Sequence, residues 1–297
     1  MGSAVISLLT DFGLRDPSAA ICRGVILGLV PQAQVIDISH EVRKYAVRDG
    51  ALLLWCALPY LPVGVHVGVV DPGVGTARRP IAIRVGRGDV LIGPDNGLLL
   101  PATERLGGMD EVRELAEPGY RLPTVSASFH GRDIFAPAAA HLARGVPFES
   151  LGPALDPGTL VRPRWPAPRR TTAGLETFVL YRDTFGNAKF GALASDLAAA
   201  LGPLEPGDPL VVTLGGGSAR AGQALRVEPV TWQLTFGAVP PGVPVLYEDS
   251  YGRLCLADNQ GDAVSRLGLV DDLPVIVARR GGAFAPHASN RRSRPGP

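Results

Sequence analysis

The chain has 297 residues, which is enough for two modest domains or one large one. Hydrophobic residues make up 46% of it and charged residues 19%, a balance typical of globular rather than disordered proteins. The formal net charge of +1 gives no global field that would attract nucleic acid or an anionic membrane. No apolar run approaches the roughly 18 residues of a spanning helix. We therefore expect neither a nucleic-acid partner nor a membrane partner.

The chain has three cysteines, Cys22, Cys56 and Cys255, and no CxxC pair. An odd number of cysteines does not indicate a disulfide framework, and the apolar surroundings of Cys22 and Cys56 favour buried thiols. The first residues lack the basic segment and long apolar core of a signal peptide. Together these features predict a protein of the reducing cytoplasm.

The first 160 residues alternate between short apolar runs and stretches with helical spacing. This pattern predicts an N-terminal α/β domain, residues 1–162, whose sheet has helices on both faces. The predicted strands are Ala4–Leu9, Val35–Ile38, Val65–Val70, Ile81–Val85 and Asp89–Ile92, and the predicted helices are Ser18–Leu29, Arg48–Leu58 and Ile134–Leu142.

The composition and the hydrophobic pattern of the sequence change after this domain. Residues 163–172 are rich in proline and arginine, which predicts an extended linker. Short strands between Gly/Pro turns then predict a smaller C-terminal β-barrel domain, residues 173–280, with one helix at Gly191–Leu201. Its predicted strands are Thr177–Arg182, Pro209–Thr213, Gln223–Val227, Pro244–Tyr247 and Val275–Ala278. The composition of residues 281–297 predicts a disordered tail.

The segment Val70–Arg78 (VDPGVGTAR) is the strongest indication of a functional site, because a strand of the buried type leads directly into a loop that carries an acid and an arginine. Ligands of open α/β sheets sit outside the carboxyl ends of strands, so Asp71 and Arg78 are expected to face each other across a loop there. A turn-capping aspartate beside a solvated arginine explains the segment equally well. The glycines do not match a GxGxxG or Walker loop, which disfavours a phosphate cradle.

Three further segments carry polar groups suited to a ligand. His130 stands in FHGRD before a short helix, where Gly131 allows close approach, although most lone histidines are structural. Asp11 ends the first strand, and a carboxylate there suits two adjacent hydroxyls or caps a helix. The run Asp183–Asn187 suits an ammonium and a purine, or is an ordinary turn. Metal-ligand spacing is absent from the sequence, so we expect no metal.

The motifs TDFG, DISH, DPGVGTxR, PDNGLL, FHGRD-F-P-A, D-FGN and SxGxL occur in this order between about Ile6 and Val277. The set resembles the S-adenosyl-L-methionine (SAM) hydroxide adenosyltransferase family, which includes the fluorinase and chlorinase enzymes. The resemblance implies an α/β domain, a β barrel and a homotrimer. The substrate would lie between the N-terminal domain of one subunit and the C-terminal domain of the next.

Members of this family cleave the C5′–sulfur bond of SAM by in-line displacement, so SAM is a substrate and no cofactor is implied. Hydroxide yields adenosine and L-methionine, whereas halide yields a 5′-halo-5′-deoxyadenosine. The halogenases carry Tyr at the position of Asp71, and the fluorinase carries Thr at Val74 and Ser at Gly131. A carboxylate beside the nucleophile would repel halide, so the resemblance predicts a SAM hydrolase with Asp71, Arg78 and His130 as its water-activating triad.

The resemblance also implies a set of substrate contacts. These are Asp11 for the ribose diol, Tyr45 as an aromatic wall, Asp183 for the methionine ammonium, Phe185 and Asn187 for the adenine, Ser250 for the methionine carboxylate, and Asn259 and Gln260 near the adenine edge. The segment Ala188–Gly191 departs from the TNI-like segment that the family usually has there.

Bulk water has a pKa of about 15.7, so the nucleophile needs activation. On our hypothesis Arg78 stabilises the developing hydroxide, His130 accepts the proton, and Asp71 orients both the water and the histidine. Two alternatives stay open: a SAM-dependent halogenase with unusual halide ligands, and a non-catalytic SAM- or adenosine-binding protein. The altered segment after Asn187 supports the second alternative.

Overall fold

The computed structural model describes residues 4–163, 165–215 and 226–281. The chain divides into two compact units, residues 1–164 and 165–297. Residues 282–297 of the predicted tail and residues 223–225 of a predicted strand lie outside the described residues. None of the described helices has the length and apolar character needed to cross a membrane.

The first unit is built on one six-stranded sheet with the order β2-β1-β3-β5-β4-β6. Its strands are β1 (Val5–Thr10), β2 (Gln34–Ser39), β3 (Val65–Val69), β4 (Pro80–Val85), β5 (Val90–Pro94) and β6 (Met109–Glu114). Strands β2, β1, β3 and β5 are parallel, while β4 runs antiparallel to both β5 and β6. All five residues of β3 are buried, as expected for a central strand covered on both faces.

Helices cover both faces of this sheet, as the alternation of strands and helices predicted. They are α1 (Ser18–Leu29), α2 (Val47–Ala57), α3 (Leu100–Arg105) and α4 (Ala136–Ala143). Val67 and Val69 share a core with α1 and α4. A Cβ at the intervening Gly68 would meet Leu54 of α2 at 3.1 Å and Leu98 at 3.2 Å, so this face packs against the other helix pair.

The second unit is a closed β barrel. Its strands are β7 (Arg169–Thr171), β8 (Gly174–Arg182), β9 (Ala188–Leu193), β10 (Pro209–Leu214), β11 (Arg226–Gln233), β12 (Pro244–Glu248), β13 (Arg253–Asp258) and β14 (Pro274–Arg279). The order β14-β10-β11-β12-β13-β9-β8 closes because β14 also pairs with β8. The barrel carries two helices, α5 (Ala194–Leu201) and α6 (Ala263–Leu267). Single 3₁₀ turns occur at Leu58–Tyr60, Pro118–Tyr120, Phe148–Leu151, Pro157–Thr159 and Phe236–Ala238.

Five strands differ from the sequence-based prediction: β13 was not predicted, β11 extends to Gln233 beyond the predicted end at Val227, and β6, β7 and β9 differ as follows. β9 occupies Ala188–Leu193, so the helix predicted from Gly191 begins only at Ala194. β7 lies inside the segment predicted as an extended linker and pairs with β8. β6 was not predicted, because its sequence MDEVRE carries four charges, and charged side chains are common on edge strands, where they discourage pairing with other chains.

A buried polar network connects three strands of the first sheet. His66 Nδ1 lies 2.8 Å from the Ser7 hydroxyl, and His66 Nε2 lies 2.9 Å from Asp89. Arg87 Nε donates to the other oxygen of Asp89 at 2.7 Å. The order Ser-His-Asp is that of a hydrolytic triad, but these three side chains are at most 1% exposed. No substrate reaches them, so the network holds strands together.

The pKa of Asp89 gives the network a pH dependence. Burial raises that pKa, but hydrogen bonds from His66 and Arg87 outweigh burial and hold it well below its usual range. A carboxylate whose pKa is lower in the folded than in the unfolded chain stabilises the fold above the unfolded value of about 3.9. This stabilisation is lost as the pH falls toward the folded value.

We expect Asp89→Asn to lower the free energy of unfolding by about 3 to 5 kcal/mol at pH 7, because His66 and Arg87 lose the negative charge that they are paired with. The deficit relative to wild type should shrink between pH 5 and pH 3 in urea titrations. The control is Asp110→Asn, which removes a 61% exposed carboxylate paired with Arg84 and should cost at most about 1 kcal/mol. A deficit that is constant with pH would contradict the assignment.

Candidate active site

A cleft of about 200 Å³ lies at the carboxyl ends of β1 and β3. These strands are adjacent and parallel, so Asp11, directly after β1, and Asp71, two residues after β3, emerge at the same edge. Four of the predicted site residues therefore share one cleft. Its lining residues are Asp11, Phe12, Lys44, Tyr45, Val69, Asp71, Val74, Ser128, Phe129, His130 and Gly131.

The predicted triad is connected through its arginine. Arg78 Nε donates to both oxygens of Asp71, at 3.1 and 2.9 Å, and Arg78 Nη2 reaches Asp71 Oδ2 at 2.5 Å. The same Nη2 lies 2.7 Å from His130 Nδ1. The described contacts include no hydrogen bond between Asp71 and His130. Arg78 lies between them, so any orienting effect of the aspartate on the histidine would act through the arginine.

The position of Arg78 fixes the protonation of His130. A guanidinium has donors and no acceptor, so His130 Nδ1 accepts, and Nε2 carries the proton of a neutral ring. Burial, followed by the positive charge of Arg78, lowers the pKa of His130 below its ordinary value. The guanidinium carbon of Arg78 also lies 5.3 Å from the centre of the buried Phe135 ring, which supports it from behind.

His130 directly precedes a π-helical turn, Gly131–Phe135, that continues into α4. Asp133 in this turn is fully buried and accepts from the backbone N–H of Ser126 at 2.9 Å and from Arg132 at 2.6 Å. Burial raises the pKa of Asp133, but these bonds outweigh it and lower the pKa overall. Asp133 therefore anchors the loop that carries His130.

Asp11 stands at the other side of the cleft, held by two neighbours. Asp11 Oδ2 accepts from the backbone N–H of Tyr45 at 2.9 Å, and its carbonyl accepts from Lys44 Nζ at 2.6 Å. Tyr45 has a left-handed backbone with φ of 64° and a side chain that is 71% exposed. A bulky residue rarely adopts this conformation, and such strain concentrates at functional sites.

Sequence reasoning missed five residues that line the cleft: Phe12, Lys44, Val69, Ser128 and Phe129. Phe12 and Phe129 pack edge to face, with ring centres 5.7 Å apart. Three of these residues stand inside or beside motifs that had been noted. The available signal for Lys44 is that the chain has only two lysines.

The predicted contacts of the second unit begin with a compact turn between β8 and β9. Asp183 Oδ1 accepts from the backbone N–H groups of Phe185 and Asn187, both at 3.0 Å, and Asp183 Oδ2 accepts from the Asn187 side chain at 3.1 Å. Phe185, at the tip of this turn, is 78% exposed. The carboxylate thus shapes its own turn, as the alternative interpretation held, and an exposed aromatic ring is presented beside it.

The other predicted contacts lie on neighbouring segments. Ser250 is exposed in the turn between β12 and β13. Asn259 is buried and donates to the Val239 carbonyl at 2.5 Å, which is a structural bond, whereas Gln260 is exposed with φ of 54°. The backbone N–H of Val264 in α6 donates to the Gly186 carbonyl at 3.0 Å, joining this region to the turn before β9.

No group of three or more His, Cys, Asp or Glu side chains within the described ranges is arranged to hold a metal ion.

The loop between Asp71 and Arg78 fits tightly against the loop before His130. Gly75 has φ of 76°, and a Cβ there would lie 2.2 Å from the Ala127 carbonyl oxygen. We expect Gly75→Ala to lower the free energy of unfolding by about 2 to 4 kcal/mol, from the backbone conformation and the clash together. The control Gly108→Ala has φ of 85° and no atom within 4 Å, so it should cost about 1 kcal/mol. Equal losses in urea unfolding would show that the Ala127 contact is unimportant.

The sequence matches the SAM hydroxide adenosyltransferase N-terminal domain over residues 6–152 and the corresponding C-terminal domain over residues 177–275. It is 46% identical over 266 residues to the (R)-S-adenosyl-L-methionine hydrolase of Salinispora tropica, covering 89% of this chain and 94% of that protein. The hydrolase of the same name from Thermus thermophilus is 42% identical over 279 residues, covering 91% and 98%. A fluorinase from an Actinoplanes species is 27% identical over 315 residues, covering 94% and 98%.

The fold is also similar to solved structures. A crystal structure of an uncharacterized conserved protein from Thermotoga maritima matches with a TM-score of 0.83 and 31% identity, covering 92% of this chain and all of that one. A conserved hypothetical protein from Thermus thermophilus matches with a TM-score of 0.71 and 39% identity, covering 93% and 100%. The sequence matches include the segments that carry Asp71, Arg78 and His130. The chain belongs to the SAM hydroxide adenosyltransferase family.

Proposed function

We propose that this protein hydrolyses SAM to adenosine and L-methionine by attack of water at C5′. The observation that carries the proposal is the Asp71–Arg78–His130 group at the cleft, in a chain 42–46% identical to proteins named (R)-S-adenosyl-L-methionine hydrolase. A non-catalytic binding protein would not need an oriented carboxylate and a neutral imidazole at the same cleft.

The cleft supports water over halide as the nucleophile. Asp71 lines it, and a carboxylate beside an incoming anion raises the energy of that anion. Val74 offers no hydroxyl donor, and Gly131 has no side chain. A Cβ at Gly131 would already lie 3.0 Å from Phe12 Cζ, so a serine hydroxyl there would require Phe12 to move.

In the proposed reaction, the water oxygen attacks C5′ while the C5′–S bond breaks and its electron pair passes to sulfur. Methionine leaves as a neutral thioether, so no general acid is needed. The positive charge of the sulfonium moves onto the attacking oxygen, which becomes strongly acidic. A weak base is then sufficient to take the proton, and adenosine results.

Asp71 is the proposed proton acceptor. His130 Nδ1 already accepts from Arg78, and protonating it would place an imidazolium against a guanidinium. We therefore assign His130 the role of a neutral donor that holds the water through Nε2–H, and we assign Arg78 the role of orienting both partners. This changes the division of labour expected from the sequence, in which the histidine took the proton.

The remaining contacts follow from the family resemblance. We propose that Asp11 binds the ribose diol beside Tyr45 and that Asp183 binds the methionine ammonium. Phe185, Asn187, Ser250, Asn259 and Gln260 would complete the site. The homotrimer with sites between subunits stays a prediction, to be checked by light scattering. Free, buried cysteines support the proposed cytoplasmic location.

The direct test is incubation with SAM in chloride buffer, followed by chromatography of the products. We expect adenosine and L-methionine in equal amounts and no 5′-chloro-5′-deoxyadenosine. Tight SAM binding without turnover would instead establish the binding-protein alternative, and the chlorinated nucleoside would establish a halogenase.

Two variants distinguish the proton acceptor. Asp71→Asn removes it and should lower kcat by roughly 10²- to 10⁴-fold, whereas His130→Asn keeps an amide donor and should lower kcat by only about 10-fold. For wild type, kcat/KM should fall as the pH drops through the pKa of His130, which lies below 6.5. Protonation of His130 at Nδ1 breaks the hydrogen bond that it accepts from Arg78. A loss in His130→Asn as large as that in Asp71→Asn would assign the proton to the histidine.

The hydrolase relatives are named for (R)-S-adenosyl-L-methionine. Because L already specifies the α-carbon, the (R) designation refers to sulfur. In-line attack requires sulfur, C5′ and water in one line, so inverting sulfur redirects the methionine arm away from its contacts. We expect kcat/KM for the (R) epimer to exceed that for the (S) epimer by at least about 10-fold. Assays of the two separated epimers measure this ratio, and equal rates would contradict it.

A further inference from the structure

The segment Ala188–Gly191, where the chain departs from the family pattern, places a lysine on the outer face of the barrel. Ala188 and Phe190 of β9 are fully buried in the barrel core, and successive residues of a strand point to opposite faces. Lys189 therefore points away from that core, yet its side chain is only 13% exposed. A lysine is rarely buried to this extent without a specific partner.

The ammonium of Lys189 lies beside the turn that carries Ser250. Lys189 Nζ donates to Asp249 Oδ2 at 2.5 Å and lies 5.6 Å from the centre of the Tyr251 ring. It thus contacts the residues on both sides of Ser250. Burial lowers the pKa of Lys189, but its neighbours Cys255, Asp249 and Asp183 together raise it, so the group stays charged.

We propose that Lys189 recognises the carboxylate of the amino-acid arm of the substrate, an inference that rests on the proposed function. An α-amino acid presents a carboxylate and an ammonium on neighbouring atoms. It is bound best by a protein cation and a protein anion that lie about as close to each other as the two ligand charges do. Lys189 pairs with Tyr181 across β8 and β9, and Asp183 directly follows the end of β8, so the two charges lie at the same end of this strand pair. An ammonium has three N–H donors. In the described contacts Lys189 donates one of them to Asp249, so donors remain for a second carboxylate.

A purely structural ion pair with Asp249 makes a different prediction. Asp249 also accepts from the backbone N–H groups of Tyr251 and Arg253, both at 2.9 Å, so removal of Lys189 would leave a buried carboxylate and disturb this turn. Such damage would affect every substrate to the same extent. Recognition of the carboxylate would affect only substrates that carry one.

The experiment compares SAM with its decarboxylated analogue, S-adenosylmethioninamine, which keeps the sulfonium and the amine. The variants are Lys189→Met, Lys189→Arg, and Lys189→Met with Asp249→Asn, in which no buried charge is left unpaired. Steady-state kcat and KM are measured for both compounds. The analogue is also tested as a competitive inhibitor of SAM cleavage, so that its affinity is obtained whether or not it is cleaved.

We expect Lys189→Met to raise KM for SAM by roughly 10- to 100-fold, the size of a hydrogen bond to a charged group, with kcat reduced much less. For the decarboxylated analogue, the constants of Lys189→Met should stay within about twofold of wild type. With SAM, Lys189→Arg should recover part of the loss. The double variant should behave like Lys189→Met with both compounds. The control Arg279→Met removes an ion pair with Asp208 elsewhere on the barrel and should change neither substrate's constants.

Equal losses for both compounds, or no loss for either, would overturn the assignment of Lys189. A wild-type protein that forms no adenosine from SAM would overturn the proposed function instead. In that event the same comparison, made by calorimetric titration of the two compounds, still tests Lys189: a loss of affinity confined to SAM supports its role, and an equal loss contradicts it.

Discussion

The candidate site depends on the hydrogen bonds that the guanidinium of Arg78 makes to two other side chains. This guanidinium joins Asp71, just after β3, to His130, which lies 52 residues after Arg78 along the chain. Because arginine stays protonated, its neighbours must both be acceptors. This requirement fixes the tautomer of His130 and occupies the atom through which it would otherwise take a proton. One cation thus decides what its two neighbours can do chemically.

The fold supplies the framework that brings these groups together. Parallel neighbours β1 and β3 end at the same edge of the sheet, which places Asp11 and Asp71 on one cleft. Two glycines allow the loops to approach: Gly75 lies against the Ala127 carbonyl, and Gly131 lies against the Phe12 ring. The buried Asp133 then holds the loop before His130. Close packing therefore sets the positions of the groups that Arg78 connects.

Much of this arrangement could be predicted from the sequence. Apolar runs identified the strands that deliver Asp11 and Asp71, and the ordered motifs pointed to His130. Spacing cannot say which atoms face each other, so the central position of Arg78 was not foreseen. Lys44 belongs to no motif, and the left-handed backbone of the next residue, Tyr45, is not visible in a sequence pattern. β9 was missed because its outward residue, Lys189, interrupts an apolar segment that otherwise suits a helix or a strand.

The sign of the charge on the nucleophile explains why an acid suits this cleft. Water arrives neutral and becomes positive as the sulfonium loses its charge, so a carboxylate beside it stabilises the transition state more than the ground state. A halide arrives negative and becomes neutral, so the same carboxylate opposes its binding from the start. Asp71 lines the cleft, whereas Arg78 is absent from the described residues that line it. In the proposed reaction, the surface presented to the nucleophile is therefore that of the acid, and the cation behind it would act by holding the acid in place.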